Sequence, residues 1–145
     1  MASTDAEPSP DGSKSAAISN HVVRTMREYT GRGPTKARAY IHADLVTVVL
    51  QDTLTKGERS LAADGRDEFV LATRRAYQGT MRRDLVSGVE TILGRTVVAF
   101  MSDNHIDPDA AVESFLLAPA DGEPHSSGAR GAAAPSDETP AAAGS

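Results

Sequence analysis

The sequence contains no cysteine and no tryptophan. Without thiols there is no disulfide framework and no thiolate metal site. Aromatic residues are scarce, three Tyr and three Phe, or 4% of the chain. That leaves too few rings for a nucleic-acid platform built on base stacking. No apolar run approaches the roughly 18–20 residues of a membrane-spanning helix. The N-terminus lacks the basic and apolar regions of a signal peptide, so the expected compartment is the cytosol. The two ends also lack large apolar side chains. Residues 1–17 are almost entirely small, polar or proline, and residues 119–145 contain no Val, Ile, Leu, Met or aromatic residue. Such segments bury too little apolar surface to offset chain entropy, and both are expected to be disordered tails.

What is present lies between them. Residues 18–118 form a segment of single-domain length with equal numbers of Lys/Arg and Asp/Glu, so the net charge of −5 resides in the tails. A neutral domain flanked by acidic tails does not suit binding to nucleic acid or to anionic lipid.

Periodicity organises this segment. Ile18, Val22, Met26 and Tyr29 follow the i, i+4 spacing of an amphipathic helix, ended by Gly31 and Pro34. Lys36–Ile41 alternates, with Ala37, Ala39 and Ile41 on one side and Lys36, Arg38 and Tyr40 on the other. After a His42-Ala43-Asp44 turn, Leu45–Leu50 reads as a buried strand completing a hairpin. Thr53–Asp64 reads as a short helix, in which Thr55 and Glu58 stand at capping-box spacing and Gly65 closes the element. A long helix is expected from Asp67 to Leu93, about 40 Å at roughly 1.5 Å per residue. Its apolar stripe is read as Phe69, Val70, Ala76, Tyr77, Met81, Leu85, Val89 and Ile92. Gly79 and Gly88 each weaken it by about 1 kcal/mol relative to Ala. Thr96–Ser102 reads as a buried strand, Asp103–Asp109 as a polar loop, and Ala111–Leu117 as an edge strand before Pro119. The order α-β-β-α-α-β-β predicts an α+β fold: a four-stranded, mainly antiparallel sheet with helices on one face.

Three places carry chemistry. Gly31-Arg32-Gly33-Pro34-Thr35-Lys36 offers backbone N–H groups beside Arg32, Lys36 and Arg38, an arrangement suited to a small anion or a nucleotide. It is not a phosphate-binding loop of the strand-to-helix type, because its glycines follow a helix and Pro34 removes a donor. A helix cap and a turn into a strand explain the same residues. Asp103-Asn104-His105-Ile106-Asp107-Pro108-Asp109 gathers three carboxylates and an imidazole, which could hold a divalent cation and serve a metal-dependent enzyme. Pro108 stands where a calcium loop needs glycine, and Ser114 where it needs glutamate. A hairpin turn satisfied by Asp and Asn side chains is the competing reading. Arg74, Arg75, Arg82 and Arg83 recur on the long helix and read as a solvated face. No catalytic residues, no cofactor and no resident metal are expected.

The runs GRGPTKARAYI, DLVTVVLQDTLTKGERSLAADGR and TVVAFMSDNHIDPDAAVESFLL resemble the small MpsC-like proteins, a family named for a Na⁺-translocating, membrane-potential-generating system. The likeness spans residues 18–118 and omits both tails. It implies a soluble accessory component associated with a membrane cation or inorganic-carbon system, held at the membrane through a protein partner. The residues that match are Gly31, Arg32, Gly33, Pro34, Lys36 and Arg38 in one motif and Asp103, Asn104, His105, Asp107 and Pro108 in the other, and the resemblance assigns a role to neither; Arg32, Gly33, Lys36 and Arg38 remain the candidate anion site from their own chemistry. The chain is therefore expected to be a non-enzymatic accessory or regulatory protein, a homodimer with protein partners. An anion-sensing module and a metal-dependent enzyme are the alternatives.

Overall fold

The computed structural model describes residues 10–120. Three helices and four strands follow one another as α1 (Pro10–Thr30), β1 (Lys36–His42), β2 (Leu45–Gln51), α2 (Lys56–Ala63), α3 (Asp67–Leu93), β3 (Val97–His105) and β4 (Ala110–Leu117). The order is the expected α-β-β-α-α-β-β, and the strands form one antiparallel sheet in the spatial order β1-β2-β4-β3.

Three features differ from expectation: the start of α1, the place of β4 in the sheet, and the end of β3, which runs to His105 rather than Ser102. Residues 10–17, assigned to the disordered N-terminal tail, are the first two turns of α1. The apolar anchors do begin at Ile18, which is fully buried. Once these fix the helix, extension backward through Ala17 and Ala16 adds one hydrogen bond per residue at little cost. The remainder of the expected tails, residues 1–9 and 121–145, lies outside the described residues. Ala111–Leu117 is a strand but not an edge strand. β4 pairs with β2 on one side and β3 on the other, which leaves β1 and β3 at the edges. Pro119 follows the last ladder bond, so it ends the strand without constraining which neighbours it has.

The core lies between the sheet and the pair α1 and α3. Ile18, Val22 and Met26 of α1 meet Met81, Leu85 and Val89 of α3 over Val46, Val48, Leu50, Phe115 and Leu117 of the sheet. Each set repeats at the period of its element, 3.6 or 2, so each presents one continuous apolar surface. Phe100 packs beside Phe115 with ring centroids 5.1 Å apart. α3 stops where expected, because Gly94 takes a φ of 66°. Its N–H then reaches the Glu90 carbonyl, and an L side chain there would be strained.

α1 and α3 approach closely at one point. The His21 ring donates from Nε2 to the carbonyls of Asp84, at 3.1 Å, and Leu85, at 3.2 Å. Gly88 makes room for it: a Cβ there would sit 2.0 Å from Nε2.

Candidate functional site

The first candidate motif is divided by its own folding. Arg32 leaves the end of α1 and turns its guanidinium onto Asp52, 2.8 Å away. Asp52 also receives Arg59 of α2, and Arg59 lies 3.5 Å from Asp109. Asp109 in turn accepts from the Thr53 amide at 2.9 Å, the Thr53 hydroxyl at 2.9 Å and the Leu54 amide at 3.0 Å. Arg32–Asp52–Arg59–Asp109 is thus a chain of alternating charges tying α1, the β2–α2 connection and the β3–β4 turn together. Hydrogen bonding from Thr35, then from Arg59, holds the Asp52 carboxyl below the usual carboxylate range. Gly33 packs on α1: a Cβ there would come within 3.2 Å of Val23 Cγ1. Lys36 and Arg38 stand apart from Arg32 on the outer face of the sheet. They border an open depression of about 580 Å³ shared with Thr35, Tyr40 and Gln51.

The second motif is also spread out. Asp103, Asn104 and His105 do not form a loop; they are the last residues of β3, which pairs with β4 as far as His105↔Ala110. Strand alternation sends Asp103 and His105 to the exposed outer face and Asn104 inward. His105 donates from Nδ1 to the Pro108 carbonyl at 2.9 Å. Asp107 is exposed in the turn, and the Asp109 carboxylate is engaged by Thr53 and Leu54 as above. Among the described residues no group of three or more His, Asp or Glu side chains is disposed to hold a metal ion. The cation-site reading of this segment therefore lacks a convergent donor set.

A third cluster was not anticipated from the sequence. Arg74 and Gln78 lie on the inward stripe of α3, where both are buried. Arg74 is not part of a solvated arginine face. It ion-pairs with Glu58 at 2.8 Å and donates from Nε to Asn104 Oδ1 at 3.0 Å. Gln78 donates to Asn104 at 3.1 Å and to Glu113 Oε2 at 3.2 Å, and Asn104 returns a bond to Gln78 at 2.9 Å. Glu58 meanwhile completes the Thr55 capping box expected for α2. Glu113 is fully buried in the middle of β4. Burial pushes its carboxyl up to about 7, and Ser102, Gln78 and the Arg74 charge pull it only part of the way back. Its Oε1 and the Ser102 hydroxyl, opposite each other in the β3–β4 register, are both buried without a full hydrogen bond. The gap beside the cluster, bordered by Met26, Tyr77 and Met81, has no room for a water-sized molecule. The cluster joins α2, α3, β3 and β4 from within. The signal for it was present: Arg74 and Gln78 continue the Val70 stripe at intervals of four, and Glu113 shares its strand face with Ala111 and Phe115.

The remaining surface of note is the outer sheet face. No helix packs on it among the described residues, and Tyr40 (52% exposed), Met101 (51%), Leu45 (41%) and Leu116 (39%) stand on it. These lie among Lys36, Arg38, Asp103 and His105.

The comparisons with known proteins place this architecture. A family model described as Na⁺-translocating membrane potential-generating system (MpsC) matches residues 11–119. The chain belongs to the MpsC family. No curated protein and no solved structure matches it. The MpsC match begins within α1 and ends just past β4, so it takes in every element of the fold. Both motifs read from the sequence fall inside it. Among the described residues no helix is long and apolar enough to cross a membrane.

Proposed function

We propose that this MpsC-family chain is an accessory component of the Na⁺-translocating, membrane-potential-generating system after which its family is named. It acts by protein contact, without chemistry of its own, and sits at the cytoplasmic side of the membrane through a partner. The observation that carries this reading is the outer sheet face. Among the described residues an entire side of the two-layer fold is left open, with large apolar side chains set among charges, the composition of a contact surface. The charged and polar clusters nearby support the same view, because they are engaged in holding elements to one another.

The test is functional. Inverted membrane vesicles from cells lacking the protein are expected to build a smaller Na⁺-dependent potential than wild-type vesicles, and adding back the purified chain should restore it. Equal potentials with and without the protein would overturn the proposal.

A further inference from the structure

We infer that the outer sheet face is the interface of a two-fold homodimer in which the sheets of two copies stack face to face. This deepens the reading of that face as a contact surface and rests on it. The strand register sets four side chains in each row across the face. One row runs Arg38 on β1, Val49 on β2, Val112 on β4 and Asp103 on β3. A cation therefore stands at one edge and a carboxylate at the other, with two valines between. Among the described residues neither Arg38 nor Asp103 has an ion-pair partner in its own chain.

A two-fold axis parallel to the strands, passing between β2 and β4, makes this row complementary to itself. It lays β1 of one copy over β3 of the other and keeps each row at its own height. Arg38 then faces the second copy's Asp103, and Asp103 faces the second copy's Arg38. The same operation sets Val49 over Val112 in the centre. In the row formed by Leu45↔Leu116 it sets those two leucines over each other. Tyr40 and Met101, the most exposed large residues of another row, meet as a ring and a thioether, a favourable pair. Stacked sheets lie about 10 Å apart with strands within about 30° of each other, which lets such side chains interdigitate. An axis across the strands would instead stack β1 on β1. It would gather Lys36 and Arg38 of both copies along one edge with no carboxylate to meet them. The charge pattern thus selects the first axis.

The test uses the full chain in sedimentation equilibrium at micromolar concentrations, with a thermal melt to confirm that each variant folds. Arg38→Glu and Asp103→Arg are each expected to raise the dimer dissociation constant about tenfold or more by placing like charges opposite each other. The double variant Arg38→Glu/Asp103→Arg reverses both charges and should return it to near the wild-type value. A wild-type dimer indifferent to either single substitution would overturn the interface. So would a double variant no tighter than the singles. A wild-type chain that stays monomeric would overturn the dimer itself, and the vesicle measurement would still decide the accessory role independently.

Discussion

Glu113 shows how much a single residue can report about this fold. Its carboxyl is raised from an ordinary 4.5 to about 7 because folding removes it from water. The folded protein therefore holds a proton that the unfolded chain releases. Stability from this group is full below about pH 4.5 and is lost as pH rises through about 7. The loss is on the order of 3 kcal/mol across that window. Urea unfolding from pH 5 to pH 8 is expected to show this decline in the wild type and to lose most of it in Glu113→Gln, which keeps the shape without the charge. An equally steep decline in the variant would assign it to another group. The sequence shows Glu113 only as an acid inside an alternating strand. That it is buried follows from β4 being central, with α3 covering its inner side.

At the scale of elements, the helices and strands were largely legible because each carries its own period. α3 runs from Asp67 to Leu93, as its spacing and its flanking Gly94 predict. The face it turns inward was less legible. Phe69 and Tyr77 were read into the stripe but are exposed, while Arg74 and Gln78 hold inward positions. Polar residues on a buried stripe depend on partners elsewhere in the chain, here Glu58, Asn104 and Glu113. Gly88 is a similar case. By local propensity it weakens α3, and alanine should gain about 1 kcal/mol. In the fold it admits the His21 ring, which a methyl group would displace. Gly88→Ala is therefore expected to destabilise by about 1–3 kcal/mol, as overpacking does. Chemical denaturation measures it, and a more stable variant would show that the ring moves aside freely.

Across the whole molecule, the expected two-layer form is present, and among the described residues one side of its sheet is left uncovered with Tyr40, Met101, Leu45 and Leu116 exposed on it. β1 and β3, the two edge strands, carry opposite charges on that side, so a dimer through it should depend on ionic strength. Raising NaCl from about 0.1 M to about 1 M shortens the screening length from about 10 Å to about 3 Å. The dimer dissociation constant is expected to rise several-fold in the wild type and to change little in Arg38→Ala/Asp103→Ala. Equal salt responses would place those charges outside the interface. The anion-site residues illustrate the limit of reading a motif along the chain. Arg32, Lys36 and Arg38 are neighbours in sequence, yet Arg32 faces Asp52 at the end of α1 while Lys36 and Arg38 face outward from an edge strand. Strand alternation and one ion pair are enough to separate them.

The sequence by itself determined the element order, the α+β class, the helix ends at Gly31 and Gly94, the capping box of α2 and the likeness to the MpsC family. All of these depend on local spacing or on runs of neighbouring residues. Only the tertiary structure decided that β4 is central, that Arg74, Gln78 and Asn104 join Glu58 to Glu113 in one buried network, and that Arg38 and Asp103 share one row on the outer face. Those facts depend on which strands pair and in what register. Register is set by long-range burial and hydrogen bonding, to which no short stretch of the chain contributes alone.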